Sequence, residues 1–122
     1  MSKYSALYED FPKLLSLLRF GVECGGGWHE LIYNLCDKID AYNKEMRAKI
    51  RVTQIKEKYG TLRFYVDAAP DLVFDWIGDA ERLSEITCEQ CGERGSFRTE
   101  TNWLLTRCDE CHEAKQPIPT IF

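Results

Sequence analysis

The run Ile50-Arg51-Val52-Thr53-Gln54-Ile55-Lys56-Glu57-Lys58-Tyr59-Gly60-Thr61-Leu62-Arg63-Phe64-Tyr65-Val66-Asp67 decides how the chain folds. Two segments rich in β-branched and aromatic residues flank a Gly-containing dipeptide, which is the signature of a β-hairpin. With Tyr59-Gly60 as a two-residue turn, Lys58 faces Thr61, Glu57 faces Leu62 and Lys56 faces Arg63. Continuing outward, Ile55 faces Phe64, Gln54 faces Tyr65 and Thr53 faces Val66. One face then carries Ile55, Leu62, Phe64 and Val66 toward a core, and the other carries Gln54, Lys56, Lys58, Thr61, Arg63 and Tyr65 toward solvent.

On either side of the hairpin the apolar period changes to that of a helix. From Tyr8 to Phe20 the residues Phe11, Leu14, Leu15, Leu17, Leu18 and Phe20 predict a first helix, with Pro12 near its first turn. After the break at Gly21-Val22-Glu23-Cys24-Gly25-Gly26-Gly27, a stripe at Trp28, Leu31, Ile32, Leu35, Ile39, Tyr42 and Met46 predicts a long amphipathic helix. Beyond the hairpin, Leu72, Val73, Trp76, Ile77, Ala80, Leu83 and Ile86 predict a third helix that starts at Pro70 or Asp71 and exposes an acidic side. Trp28, Trp76 and Trp103 fall on apolar stripes and read as core residues.

Four of the six cysteines form Cys88-Glu89-Gln90-Cys91-Gly92 and Cys108-Asp109-Glu110-Cys111, with sixteen residues between the pairs. This is zinc-ribbon spacing: each pair turns two thiolates toward one ion, and two pairs complete a tetrahedral site. Gly92 suits the positive φ such a turn often needs, and Gly95 is expected to close the same loop. A disulfide framework, a c-type haem motif at Cys108 to His112, a redox pair and His112 in place of Cys111 compete for these residues. The spacing and the absence of an export signal favour zinc on Cys88, Cys91, Cys108 and Cys111. A Cys₄ set also holds iron, but nothing in the sequence suggests electron transfer. Four thiolates leave no open position, so the ion is expected to be structural, supplying on the order of 10 kcal/mol of folding energy to a ribbon that chelation would unfold first. Within the ribbon Phe97, Trp103 and Leu105 are placed on a second hairpin around Thr99 to Asn102, and the tail Gln116-Pro117-Ile118-Pro119 is expected to be extended. Cys24 and Cys36 read as reduced structural cysteines.

The fold class is therefore α+β: helices packed on a β-hairpin, followed by a small C-terminal zinc ribbon. The division expected is residues 1–86 and 87–122. A chain of 122 residues can bury roughly 65% of its unfolded surface, enough for one core. No window reaches the ~18 apolar residues of a membrane span, and the first residues lack a signal-peptide pattern, so a cytoplasmic protein with no membrane partner is expected. The formal net charge is −4, which excludes binding by bulk positive charge. The charge is unevenly placed: residues 43–66 carry seven Lys or Arg against two Glu, whereas residues 67–87 carry one Arg against six acids.

The segments Glu23-Cys24-Gly25-Gly26-Gly27-Trp28, Lys56-Glu57-Lys58-Tyr59-Gly60-Thr61-Leu62-Arg63-Phe64-Tyr65 and Cys88-Glu89-Gln90-Cys91-Gly92 together resemble a family of small bacterial and phage or prophage proteins of uncharacterised function. The likeness covers roughly residues 20 to 111. It implies this architecture and a phage-linked setting, and it carries over no catalytic residue.

Two surfaces are candidates for binding. Lys56, Lys58, Arg63 and Tyr65, with Tyr59 at the tip, match a basic and aromatic sheet platform for nucleic acid, or else a solvated face whose lysines discourage edge pairing. Gly25, Gly26, Gly27, Trp28 and His29 match a ligand or anion loop at a helix N-terminus, or a plain turn, with His29 a surface or capping residue. No Lys-Ser/Thr follows the glycines and no strand is expected before them, which excludes a P-loop and a dinucleotide fingerprint. With two histidines and no nucleophile motif, an enzyme is disfavoured. The leading expectation is a zinc-ribbon interaction module that binds a host or phage protein, acting as an inhibitor. The alternative is nucleic-acid binding by the hairpin face with Arg94, Arg98 and Arg107, and a weaker one is nucleotide or anion capture at the glycine loop.

Overall fold

The computed structural model describes residues 4–99 and 104–115, so Trp103 and the tail Gln116-Pro117-Ile118-Pro119 lie outside the described residues. The chain runs α1 (Ser5–Asp10), β1 (Val22–Glu23), a 3-10 turn (Gly26–Trp28), α2 (His29–Met46), β2 (Val52–Lys58), β3 (Thr61–Val66), α3 (Asp71–Ser84), β4 (Ser96–Arg98), β5 (Leu105–Arg107) and α4 (Asp109–Lys115). The fold is α+β, as the periodicities imply.

β2 and β3 pair antiparallel around Tyr59 and Gly60, whose φ values of 55° and 86° are those of a type I′ turn. The expected register holds from Lys58↔Thr61 to Gln54↔Tyr65. It then shifts, because Val66 pairs with Val52 rather than Thr53. The irregularity leaves Thr53 out of the ladder and returns Val52 to the core face, where it is fully buried. Ile55, Leu62 and Phe64 share that face with Leu31, Ile32, Leu35, Cys36 and Ile39 of α2 and Val73, Ile77 and Ala80 of α3. Thr61, assigned to the solvent face, is 8% exposed because the ribbon covers the hairpin tip.

The first helix is shorter and earlier than the stripe predicts. It spans Ser5–Asp10 and ends at Phe11, whose φ of −130° and ψ of 52° are non-helical. Proline disfavours the α conformation in the residue before it, so Pro12 ends this helix instead of starting one. The following residues form successive turns that still bury Leu14 and Leu15, but Leu17 and Phe20 are exposed. A strand missed in the sequence comes next: Val22 and Glu23 lie parallel to β2, in register with Ile55 and Lys56. A strand therefore does precede the glycines.

Side chains tie the remaining backbone groups. Asn43 near the end of α2 accepts from Ile50 N and donates to Ile50 O, both at 3.0 Å, holding the loop into β2 against the helix. The outer edge of β3 is closed by α3: Leu62 N donates to Ser84 Oγ at 3.0 Å and Phe64 N to Glu81 Oε2 at 3.1 Å. These bonds leave those amides unavailable for pairing with a further strand.

Gly60 occupies the one turn position with no room for a side chain. An added Cβ would lie 2.8 Å from Phe97 Cε1 and 2.9 Å from Leu104 C, at a φ that already disfavours L residues. Gly60→Ala is expected to destabilise the protein by about 2 kcal/mol or more, from strain and overpacking together. Tyr59→Asn is expected to leave stability unchanged or raise it slightly, because Tyr59 is 65% exposed and Asn tolerates its positive φ. Urea denaturation of both variants checks the pair.

Candidate metal centre and neighbouring surfaces

Two turns bring the four cysteines together. Cys88 and Cys91 lie in the turn after α3, and Cys108 and Cys111 lie at the start of α4. Their Sγ atoms are all within 4.8 Å of one another, and Cys91 Sγ is 3.6 Å from Cys108 Sγ. Metal–sulfur bonds of about 2.3 Å in a tetrahedron separate the sulfurs by about 3.8 Å, so the set fits one ion. All six cysteines are free thiols, which removes the disulfide framework. Cys111 completes the cluster and His112 does not belong to it; His112 N instead donates to Cys108 O at 3.0 Å.

The turn geometry favours the ligand state at Cys88, whereas burial and the neighbouring thiols push Cys111 up to about 12. Gly92, at φ 87°, donates its N–H to Cys88 O at 2.9 Å, and Cys88 N donates to Glu93 O at 2.8 Å. Burial pushes the Cys88 thiol up, but hydrogen bonds from the amides of Cys108, Cys91 and Gln90 outweigh it and hold the thiol down to about 7. A thiol that ionises near neutrality is already close to the thiolate that a metal takes. Cys24 and Cys36 lie outside the cluster, and burial pushes both thiols up to about 12.

The first cysteine turn docks in the glycine loop. Gly25 N donates to Glu89 Oε2 at 2.8 Å, Gly27 N to Glu89 O at 2.7 Å and Trp28 Nε1 to Thr87 O at 2.8 Å. An added Cβ on Gly27 would lie 2.2 Å from Cys88 O, and on Gly25 2.6 Å from Glu89 O. The glycines are therefore bare because another stretch of backbone lies against them. The carboxylate expected at this helix N-terminus is the chain's own Glu89, whose pKa is raised by burial and opposed by the Gly25 amide. Trp28 is fully buried. His29 is half-buried, with its ring 5.5 Å from that of Tyr4 and 5.9 Å from that of Tyr33, rather than a surface cap. Residues 87–92 thus take the Gly25 and Gly27 amides, and beside them a cavity of about 480 Å³ is lined by Gly26, Gly27, His29, Thr87 and Cys91, with His29 Nε2 buried and without a hydrogen-bond partner among the described residues.

The hairpin tip makes the second dock. Thr106 of β5, fully buried, donates its hydroxyl to Gly60 O at 2.9 Å, and Glu89 N donates to Thr106 O at 3.0 Å. On the open face of the hairpin Lys58 and Tyr59 are exposed, with Lys58 Nζ 5.4 Å from the Tyr59 ring centroid, and Tyr65 is 43% exposed. Lys56 and Arg63 are half-buried and directly paired; Arg63 Nη1 donates to Thr61 Oγ1 at 3.0 Å. The missed strand β1 sets Glu23 beside Lys56, which dilutes the positive charge of this face. Of the ribbon arginines, Arg98 is 13% exposed on its side chain and pairs with Asp109 at 2.8 Å, and Arg107 Nε is buried. Only Arg94 is exposed, so the ribbon does not extend the platform.

No family model, curated protein or solved structure matches this chain.

A further surface was hidden in the third stripe. Trp76, read as core, is only half-buried; Leu72, Leu83 and Ile86 of the same stripe are 50%, 46% and 44% exposed, and Met46 of α2 is 59% exposed. Between α2 and α3 run two adjoining cavities of about 430 and 590 Å³ that share Lys38 and Trp76. Tyr42, Met46, Leu72 and Leu83 supply apolar walls, and Asp37, Glu45 and Asp79 stand on the rim. The sequence signal for this groove was the width of both stripes, broader than a single packing contact needs.

Because the knuckle is docked at two places, chelation of the loaded protein is expected to release more than the ribbon. Hydrogen exchange should show lost protection at the Gly25 and Gly27 amides as well as within 88–111; loss confined to 88–111 would mean that the ribbon unfolds alone, as the sequence suggests. Gly27→Ala is expected to cost about 2–3 kcal/mol and to weaken metal binding, since its Cβ displaces the Cys88 turn. A metal-competition titration checks that coupling.

Proposed function

We propose that this protein is a non-enzymatic zinc-ribbon interaction module that binds another protein through the groove between α2 and α3. The groove supports this reading: large apolar side chains line it, Trp76 sits at its centre under Lys38 at 5.8 Å, and charged residues rim it. Apolar centres with polar rims and an aromatic anchor are typical of protein interfaces. The segment 67–87 is strongly acidic, so the complementary partner is an amphipathic helix or strand with basic residues beside its apolar ones. Zinc is the ion that the closed four-thiolate set suits best, and its role is to hold the knuckle that organises the body of the fold. The resemblance to phage-linked proteins supports a host or phage protein as the target, with occlusion of the target's own site as the route to inhibition. Among the described residues no helix is long and apolar enough to cross a membrane.

A photo-crosslinking residue at position 72 is expected to trap one stoichiometric protein partner, and the same residue at Gln54 is expected to trap none. Trp76→Ala should weaken that complex by tenfold or more while the far-UV spectrum and the zinc content of one ion per chain are retained. A partner trapped equally from both positions, or undiminished binding by the Trp76 variant, would overturn the reading.

A further inference from the structure

A second groove lies at the opposite end of α2 from the cysteine turn. Its cavity of about 360 Å³ is lined by Lys13, Asp40, Lys44, Arg47, Lys49 and Arg51. Five cations thus face one carboxylate within it, and that carboxylate, Asp40, is already paired with Lys44 at 3.1 Å. Asp67 stands beside Arg51 and accepts its backbone N–H at 2.9 Å, while Arg51 Nη1 donates to Ile50 O at 3.0 Å. Lys13, Lys44, Arg47 and Lys49 are exposed.

Cations near a helix C-terminus offset its dipole, and Lys44 and Arg47 do this for α2. That reason does not reach Lys13, which comes from the turns after α1, or Lys49 and Arg51, which approach β2. Three separate segments converge on one concave site, and backbone bonds fix each of them. Val52 N donates to Leu14 O at 2.9 Å, which ties the Lys13 turn to the strand. Asn43 holds Ile50 on both its backbone groups, which ties the loop bearing Arg47, Lys49 and Arg51 to the helix. Arg47 itself is held at φ 56°, with its N–H bonded to Asn43 O. The cations are thereby brought together before any ligand arrives, which lowers the ordering cost of binding.

We infer that this groove binds the phosphodiester backbone of a nucleic-acid strand. A single anion would neutralise one or two of these side chains; a repeating polyanion matches cations spread along a helix end, a turn and an extended segment. Arg47 supplies a planar donor fork for phosphate oxygens, and the lysines supply point charges. The contacts are to phosphates, so recognition is expected to be largely independent of sequence. The open hairpin face, diluted by Glu23, is not required. This site is distinct from the α2–α3 groove, and either can fail without the other.

Fluorescence anisotropy with a labelled 20-nucleotide single strand and its duplex, titrated from low salt to about 0.15 M, tests the inference. Binding is expected to fall log-linearly with salt, with each phosphate contact adding about 0.7 to the slope for the single strand. Arg47→Glu with Lys49→Glu should lower affinity at least tenfold and reduce the slope by more than one contact, with thermal stability retained. Lys13→Ala with Lys44→Ala, milder for the fold, should lower it at least threefold. Lys56→Glu with Arg63→Glu should change it less than twofold. No binding at low salt, equal loss with the hairpin pair, or pyrophosphate binding without any oligonucleotide binding would each overturn the assignment.

Discussion

The contact on which the structure depends is backbone against backbone: the carbonyls of Cys88 and Glu89 lie where side chains of Gly27 and Gly25 would have to be. Only glycine permits that approach, and the amides so exposed donate to Glu89 instead of to water. The result is that a cysteine turn, whose thiols belong to a cluster that could hold a metal ion, caps the turn leading into α2. Trp28 adds a buried indole bond to Thr87 O from the same turn. The start of the longest helix and the first half of the metal set are thus positioned by one interface.

The same logic joins the other half. Gly60 must be glycine for its φ and also because β5 and Phe97 press against it, and Thr106 closes the gap by bonding to Gly60 O. Ribbon and body accordingly share polar contacts at two separated points, although the sequence suggests a ribbon appended after residue 86. Glu89 links the two docks, since its side chain and carbonyl serve the glycine loop while its amide bonds to Thr106 O. A metal ion held by the four cysteines would therefore stabilise the hairpin tip and the start of α2 as well as the ribbon, because loss of the knuckle would leave buried amides without partners.

Packing the elements in this way leaves two unlike surfaces on α2. Toward α3 its apolar stripe is wider than the contact, and the excess, with Met46 and Leu72, becomes an exposed groove around Trp76. At its C-terminal end the charge excess of residues 43–66 gathers with Lys13 into a basic groove. One surface suits an apolar partner segment and the other a polyanion, and they are formed by different sides of one helix.

The sequence by itself determined what depends on local chemistry. Period-two alternation around Tyr59-Gly60 specified the hairpin and its register as far as Gln54, apolar spacing specified α2 and α3, and the spacing of Cys88, Cys91, Cys108 and Cys111 specified the cluster. Those signals are carried within a few residues, by backbone geometry and side-chain period. Tertiary structure alone decided that Val22 and Glu23 form a strand beside β2 and that Thr53 leaves the ladder. It also decided that Glu89 takes the Gly25 and Gly27 amides and that Lys13 joins Lys49. Each of those outcomes depends on which distant backbone or charge arrives in space, and neither residue period nor motif spacing encodes that arrival.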